Sequence, residues 1–212
     1  MKKVLMSMRV TEASNYNEKR NSIAFDYIEY FEKLGYLVQL IPNNSKNINN
    51  YFDKEVKVVV LTGGNNVNPK LYKSEDKLTD VYIQRDITEK KLLKKAIKKD
   101  ISVLGICRGF HFINIYYSGK ITHNIKNHVN KNHKLISKKE LLNSKKTNSF
   151  HNQGVSSDDL AKDLQVLAKS EDGFIEAFRY KKNKVLALQW HPERQNKKYD
   201  KKLIKRFLKG RI

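Results

Sequence analysis

The stretch whose reading decides the fold is ISVLGICRGFHFINIYYSGK, residues 101–120. Residues 101–106 form an apolar run of strand length, and from Arg108 to about Tyr117 apolar residues recur at helical spacing. Between them, Gly105-Ile106-Cys107-Arg108-Gly109 puts a thiol in a strand-to-helix turn, with glycine two residues away on each side. This is the thiol version of the G-x-S-x-G elbow. A turn that sharp pushes its middle side chain above the sheet, and side chains two positions away would clash, so glycines belong there. The free amides and partial positive charge of the helix N-terminus favour thiolate over thiol, and Arg108 adds a cation nearby. A lone cysteine at a strand end is more often an inert core residue. The nucleophile reading therefore needs a base elsewhere in the chain.

Such a base stands near the other end. VLALQWHPE (185–193) reads as a strand that runs into His191-Pro192-Glu193. Side chains two apart on extended backbone point the same way, which brings the Glu193 carboxylate within reach of the His191 imidazole. In a parallel α/β sheet, sites form at the carboxyl ends of strands, so Cys107 and His191 are expected over one edge. A third segment, Leu61-Thr62-Gly63-Gly64-Asn65-Asn66, follows another strand. It lacks both G-x-G-x-x-G and the P-loop pattern. An amide near Gly64 fits better as an oxyanion donor, paired with that of Arg108.

Outward from these motifs, strands are expected at 4–10, 36–42 and 56–64, and helices at 22–35 and 86–100. Continuous apolar strands alternating with helices predict a parallel sheet covered on both faces. From residue 120 the chain turns polar and basic, then gives short strands at 164–170, 174–180 and 184–191 and a terminal helix at 198–210. The expected architecture is one α/β domain over residues 1–212, with a mostly parallel central sheet and a small antiparallel addition.

The 212 residues carry 43 Lys and Arg against 22 acids, a net +21. That surface attracts anions. The lysines are scattered, and their tracts lack interleaved aromatics or a nucleic-acid reader motif. An anionic small substrate fits better than nucleic acid. A basic module that binds phosphate-rich polymers is the reading from another class. One cysteine excludes an internal disulfide and a Cys-based metal site. The N-terminus is too short and polar for a signal peptide, and no apolar run is long enough for a membrane helix. A cytoplasmic protein with no membrane contact is expected. His123, His128 and His133 recur every five residues without carboxylate or cysteine companions in the sequence, and read as loop residues rather than metal ligands. No metal or cofactor is expected.

Gly-Ile-Cys-Arg-Gly, Gln-Trp-His-Pro-Glu and Leu-Thr-Gly-Gly together resemble a class I glutamine amidotransferase domain, flavodoxin-like in fold. More closely they resemble the γ-glutamyl hydrolase branch of peptidase family C26. Arg85-Asp86 with Glu89, Ser149-Phe150-His151-Asn152-Gln153 and Ile175-Glu176-Ala177 appear in the family's order. The resemblance implies a Cys107, His191, Glu193 triad, oxyanion donors at the backbone of Gly64 and Arg108, and no metal or cofactor. It also implies substrate contacts from Gly63, Asn65, His111, Ser149, Phe150 and His151, with Arg85 at the pocket mouth. Two positions depart from the family. His111 stands where glutamine is usual four residues after the nucleophile, and Asn66 stands where an acid is usual. These departures, with the short form and the Lys and Asn content, point within the family to an anionic γ-glutamyl substrate such as a γ-glutamyl-CDP-amidate of capsule synthesis. The alternatives are a γ-glutamyl-GABA-type hydrolase or a glutaminase subunit. The basic stretch Lys120 to Lys146 either holds a diphosphate or is a solvated loop. A homodimer or a synthase partner chain is left open.

Overall fold

The apolar runs expected to be strands do lie side by side, in a computed structural model that describes residues 1–180, 182, 184–195 and 197–211. The first half contains β1 (Lys3–Ser7), β2 (Arg9–Glu12), β3 (Lys19–Ser22), α1 (Phe25–Lys33), β4 (Leu37–Ile41), β5 (Val56–Leu61), α2 (Ile83–Lys98), β6 (Ser102–Ile106) and α3 (Arg108–Tyr116). The second half adds β7 (Thr122–His123), β8 (Val129–Lys134), β9 (Lys146–Phe150), β10 (Gln153–Gly154), β11 (Leu164–Lys169), β12 (Ile175–Tyr180), β13 (Val185–Leu188), α4 (Pro192–Gln195) and α5 (Lys198–Leu208).

The main sheet has the order β11-β12-β13-β6-β5-β1-β4. β4, β1, β5, β6 and β13 are parallel neighbours, and β12 runs against β13 and β11. The expected mostly parallel sheet with an antiparallel addition is therefore present. Alternate residues of each strand feed two cores. Val4, Met6, Val58, Val60, Leu104 and Ile106 pack with Phe31 of α1 and Ile204 and Phe207 of α5. Leu5, Val59, Leu61 and Val103 pack with Leu92 and Leu93 of α2 and Phe110 of α3. Burial on both faces is why these strands read as unbroken apolar runs.

Two segments change element against expectation, beyond shifts of a few residues at other boundaries. The run 4–10 is not one strand. β1 stops at Ser7, and Arg9 opens the β2–β3 hairpin. At the other end β13 stops at Leu188, and Pro192 opens the one-turn helix α4 instead of ending a strand. Proline suits a helix start, where its missing amide costs nothing. Between them Trp190 is fully buried, and its Nε1–H donates to Asp200 Oδ1 at 2.9 Å, tying this segment to α5.

Candidate active site

β5, β6 and β13 end at one edge, and the segments that follow them meet there. Cys107 caps α3 with φ 52° and ψ −102°, a left-handed backbone that a non-glycine residue adopts only under constraint. The constraint is visible in the flanking glycines. A Cβ on Gly109 would lie 2.1 Å from the Leu61 carbonyl oxygen, and one on Gly105 would lie 2.7 Å from the Gly109 carbonyl oxygen. The elbow is pressed onto the end of β5, and only glycine fits at both contacts.

His191 faces Cys107. Asn148 clamps its backbone from β9: the His191 amide donates to Asn148 Oδ1 at 2.8 Å, and Asn148 Nδ2 donates to the His191 carbonyl at 2.8 Å. His191 Nδ1 lies 2.6 Å from Glu193 Oε1. The contact arises from the turn into α4, not from extended backbone. Burial alone pushes the Cys107 thiol up, but the charge and hydrogen bonding of His191 outweigh it and bring the thiol below its usual value. Burial pulls His191 down, yet the thiolate and Glu193 push it up to about 9. The two shifts describe one coupled thiolate–imidazolium pair.

The Thr62–Gly64 loop is held from beneath. Arg85 is fully buried and does not stand at the pocket mouth, which corrects the sequence-based expectation. Its guanidinium donates to the carbonyls of Thr62 at 2.8 Å and Gly63 at 3.0 Å, to that of Gly64, and to Glu89 at 3.0 Å. A peptide's carbonyl and the next amide point in opposite directions. Carbonyls pinned down onto Arg85 therefore turn the amide of Gly64 outward. The Gly63 amide is spent on the Tyr27 hydroxyl at 2.9 Å.

The Arg108 side chain also turns away from the thiol, against expectation. It pairs with Asp86 at 2.5 Å and with Glu89, both buried. Burial raises Asp86 to about 6 despite Arg108. Glu89 accepts from Ser7 Oγ at 2.8 Å as well, so one charged network underlies both the elbow and the loop.

A pocket of about 220 Å³ opens over the thiol, walled by Gly63, Gly64, Asn65, Cys107, His111, Phe150, His151 and His191 among others. His111 is buried and neutral, pushed down to about 3 chiefly by burial. Asn65 forms wall but has little to offer a ligand. Its side chain is bonded to Val10, Arg85 and Asp80. Ser149 is fully buried off the pocket, its hydroxyl donated to the His128 carbonyl. Phe150 stands against the His191 ring, centroids 6.0 Å apart. Arg9 and Arg194 lie on the pocket wall and were not expected; the acid there, Asp80, is tied to Asn65. Arg194 stacks over Phe150 at 4.6 Å. Tyr27 and Asn148 also escaped sequence reading, because no spacing rule links them to the motifs, whereas Gln153, part of the quoted Ser149–Gln153 motif, does line the pocket. A larger hollow of about 870 Å³, along Ile136–Lys139 and β11, holds none of the candidate residues.

Residues 4–193 match the Peptidase C26 family. This chain belongs to that family. Its fold is that of class I glutamine amidotransferases: it superposes on a glutamine amidotransferase from Thermotoga maritima with a TM-score of 0.60 at 18% identity, over 91% of this chain and 76% of that one. The PurLQS structure from the same organism gives a TM-score of 0.66 at 14% identity, over 99% and 98% of the chains. The gamma-glutamyl-CDP-amidate hydrolase of Campylobacter jejuni is 31% identical over 192 residues, 90% of each chain. The C26 member described here is a glutamine amidotransferase-like hydrolase. Among its described residues no helix is long and apolar enough to cross a membrane.

Proposed function

We propose that this C26 hydrolase cleaves a γ-glutamyl amide through a γ-glutamyl thioester, with Cys107 as nucleophile, His191 as proton carrier and Glu193 as its orienting carboxylate. The observation that carries this is the coupled pair: a lowered thiol on a strained elbow, against an imidazole raised to about 9 and bonded to a buried carboxylate.

The Cys107 thiolate adds to the γ-carbonyl carbon, and the C=O electron pair moves onto oxygen. The amides of Gly64 and Arg108 receive that oxyanion, and each such donor contributes about 3 kcal/mol. The His191 imidazolium gives its proton to the amide nitrogen as the C–N bond breaks, leaving a thioester. Neutral His191 then takes a proton from water, whose oxygen attacks the thioester. Collapse releases glutamate and restores the thiolate–imidazolium pair. The net reaction adds one water across the amide.

The pocket of about 220 Å³ is below the roughly 300–1,000 Å³ usual for a drug-sized ligand. It suits the glutamyl half, with the leaving group outside among Arg9 and Arg194. Two cations there favour an anionic leaving group. The Campylobacter jejuni relative acts, by its name, on γ-glutamyl-CDP-amidate, and a cytidine diphosphoramidate leaving group fits the same charges. The test is a glutamate-release assay with glutamine, γ-glutamyl-GABA and a γ-glutamyl phosphoramidate of a nucleotide. The phosphoramidate should give the highest kcat/KM. Preference for glutamine would overturn the substrate assignment and favour a glutaminase.

A further inference from the structure

Beside the pocket, the fold gathers His128 and His133, five residues apart in sequence, with His151 and Glu176. In the sequence the histidines lack a carboxylate companion. The fold supplies one in Glu176, on β12 of the main sheet, and replaces His123 with His151. We propose that these four residues hold a single Zn²⁺ ion, separate from the hydrolytic chemistry.

The positions fit. One ligand atom from each residue lies within 4.8 Å of the others. Glu176 Oε1 is 3.2 Å from His133 Nε2 and 3.8 Å from both His128 Nδ1 and His151 Nε2. Tetrahedral zinc with ligands at about 2.0–2.2 Å sets neighbouring ligand atoms roughly 3.3–3.6 Å apart.

The polarity fits better still. Both Glu176 oxygens, His128 Nδ1, His133 Nε2 and His151 Nε2 are buried, and their contacts lack hydrogen-bond direction. A carboxylate buried in that condition is costly without a cation. The outer nitrogens orient the rings. His151 Nδ1 lies 2.7 Å from the Gln153 carbonyl, which can only accept, so Nδ1 carries the hydrogen and Nε2 faces inward. His128 Nε2 lies 2.9 Å from Asp172 Oδ2, so its Nδ1 faces inward as well. With both rings neutral, two imidazole lone pairs converge on a carboxylate oxygen. A cation at their centre turns that repulsion into coordination. Carbonyl and carboxylate partners on the outer nitrogens are the usual way proteins aim metal-binding histidines. A set of imidazoles and one carboxylate, with no thiolate, suits Zn²⁺.

The ion would tie the segment before β8, β8 itself and the residue after β9 to β12. β9 carries Asn148, which clamps the His191 backbone.

The experiment uses the full chain without a histidine tag, stripped with chelator, equilibrated with micromolar Zn²⁺, desalted and measured by plasma mass spectrometry. One zinc per chain is expected in the wild type and in Cys107→Ala, and none in His133→Ala or Glu176→Gln. Zinc should raise the thermal midpoint of wild type but not of His133→Ala. His133 is the least buried of the four, so that variant decides if Glu176→Gln does not fold. Cobalt in place of zinc should show d–d bands without a thiolate charge-transfer band. No uptake by the stripped wild type would refute the site, as would full uptake by His133→Ala. Loss of the ion in Cys107→Ala, with a thiolate band in wild type, would place it on the nucleophile instead.

Discussion

Cys107 and the Thr62–Gly64 loop follow adjacent parallel strands, β6 and β5, whereas the facing wall, Asn148 to Gln153, runs from β9 of the β8–β9 ribbon into β10, outside the main sheet. The first wall is fixed by backbone exclusion and by buried charge beneath it. The second is fixed by side chains reaching across: Asn148 to the His191 backbone, and Gln153 Nε2 to Asn66 Oδ1 at 2.9 Å. The motifs of the first wall are short and continuous in sequence, whereas the second is held by scattered polar side chains; both are fixed by contacts made on folding. Substitutions should separate the two.

The largest effect is expected at Gly109→Ala, because the new Cβ would meet backbone, the Leu61 carbonyl, at 2.1 Å. Neither the elbow nor β5 can yield without losing sheet, so a destabilisation of more than about 3 kcal/mol is expected in denaturant unfolding. A variant as stable as wild type would show that the elbow is not pressed onto β5. Cys107→Ala removes chemistry instead. It should unfold like wild type yet lose at least about 10³-fold in kcat. Arg85→Lys lies between. A lysine cannot span the Thr62, Gly63 and Gly64 carbonyls, so the Gly64 amide loses its orientation. A fall of about 10²-fold in kcat with KM nearly constant is expected. A change in KM alone would make Arg85 a substrate contact after all.

The same contrast explains what sequence reading reached. Gly105, Cys107 and Gly109 are two residues apart, a spacing legible in the sequence, although the contact that excludes a side chain at Gly109 comes from Leu61 on β5. His191 and Glu193 are equally close, so their contact was found although the strand argument behind it was wrong. The motif Arg85-Asp86 with Glu89 showed in the sequence at helical spacing, but not its direction. Burial beneath the loop depends on α2 packing against β5 and β6, which no single segment encodes. His151 and Glu176 lie 25 positions apart and meet only because the residue after β9 comes against β12. Arg9 followed a strand misread as running to residue 10, so its place at the carboxyl edge was hidden.

A pH series separates the two members of the coupled pair. The thiol is already lowered, so alkylation of Cys107 by iodoacetamide should be fast at neutral pH and should not fall on the alkaline side. Turnover needs the His191 proton as well. With His191 near 9, kcat/KM should decline about tenfold per pH unit above that value while alkylation persists. A parallel decline of both would mean that a single group governs them. For stability the sign is the same for His191. Its raised value stabilises the fold fully below the usual imidazole range, and that contribution is lost as pH rises through about 9.

The smallest expected effect tests the mouth. Arg194 is exposed over more than a third of its side chain, so its attraction for an anion is screened by solvent. Exposed charge pairs contribute no more than about 1 kcal/mol, which corresponds to roughly fivefold in affinity. Arg194→Ala should therefore raise KM for a γ-glutamyl phosphoramidate about fivefold and leave kcat alone, with little change for glutamine, whose leaving group carries no negative charge. Added salt should weaken the wild-type enzyme toward the variant. Arg194 also covers Phe150, which stands against His191, so a lost packing contact would instead show as a lower kcat for every substrate, independent of salt. The salt dependence thus decides whether this cation reads the leaving group or only props the ribbon wall.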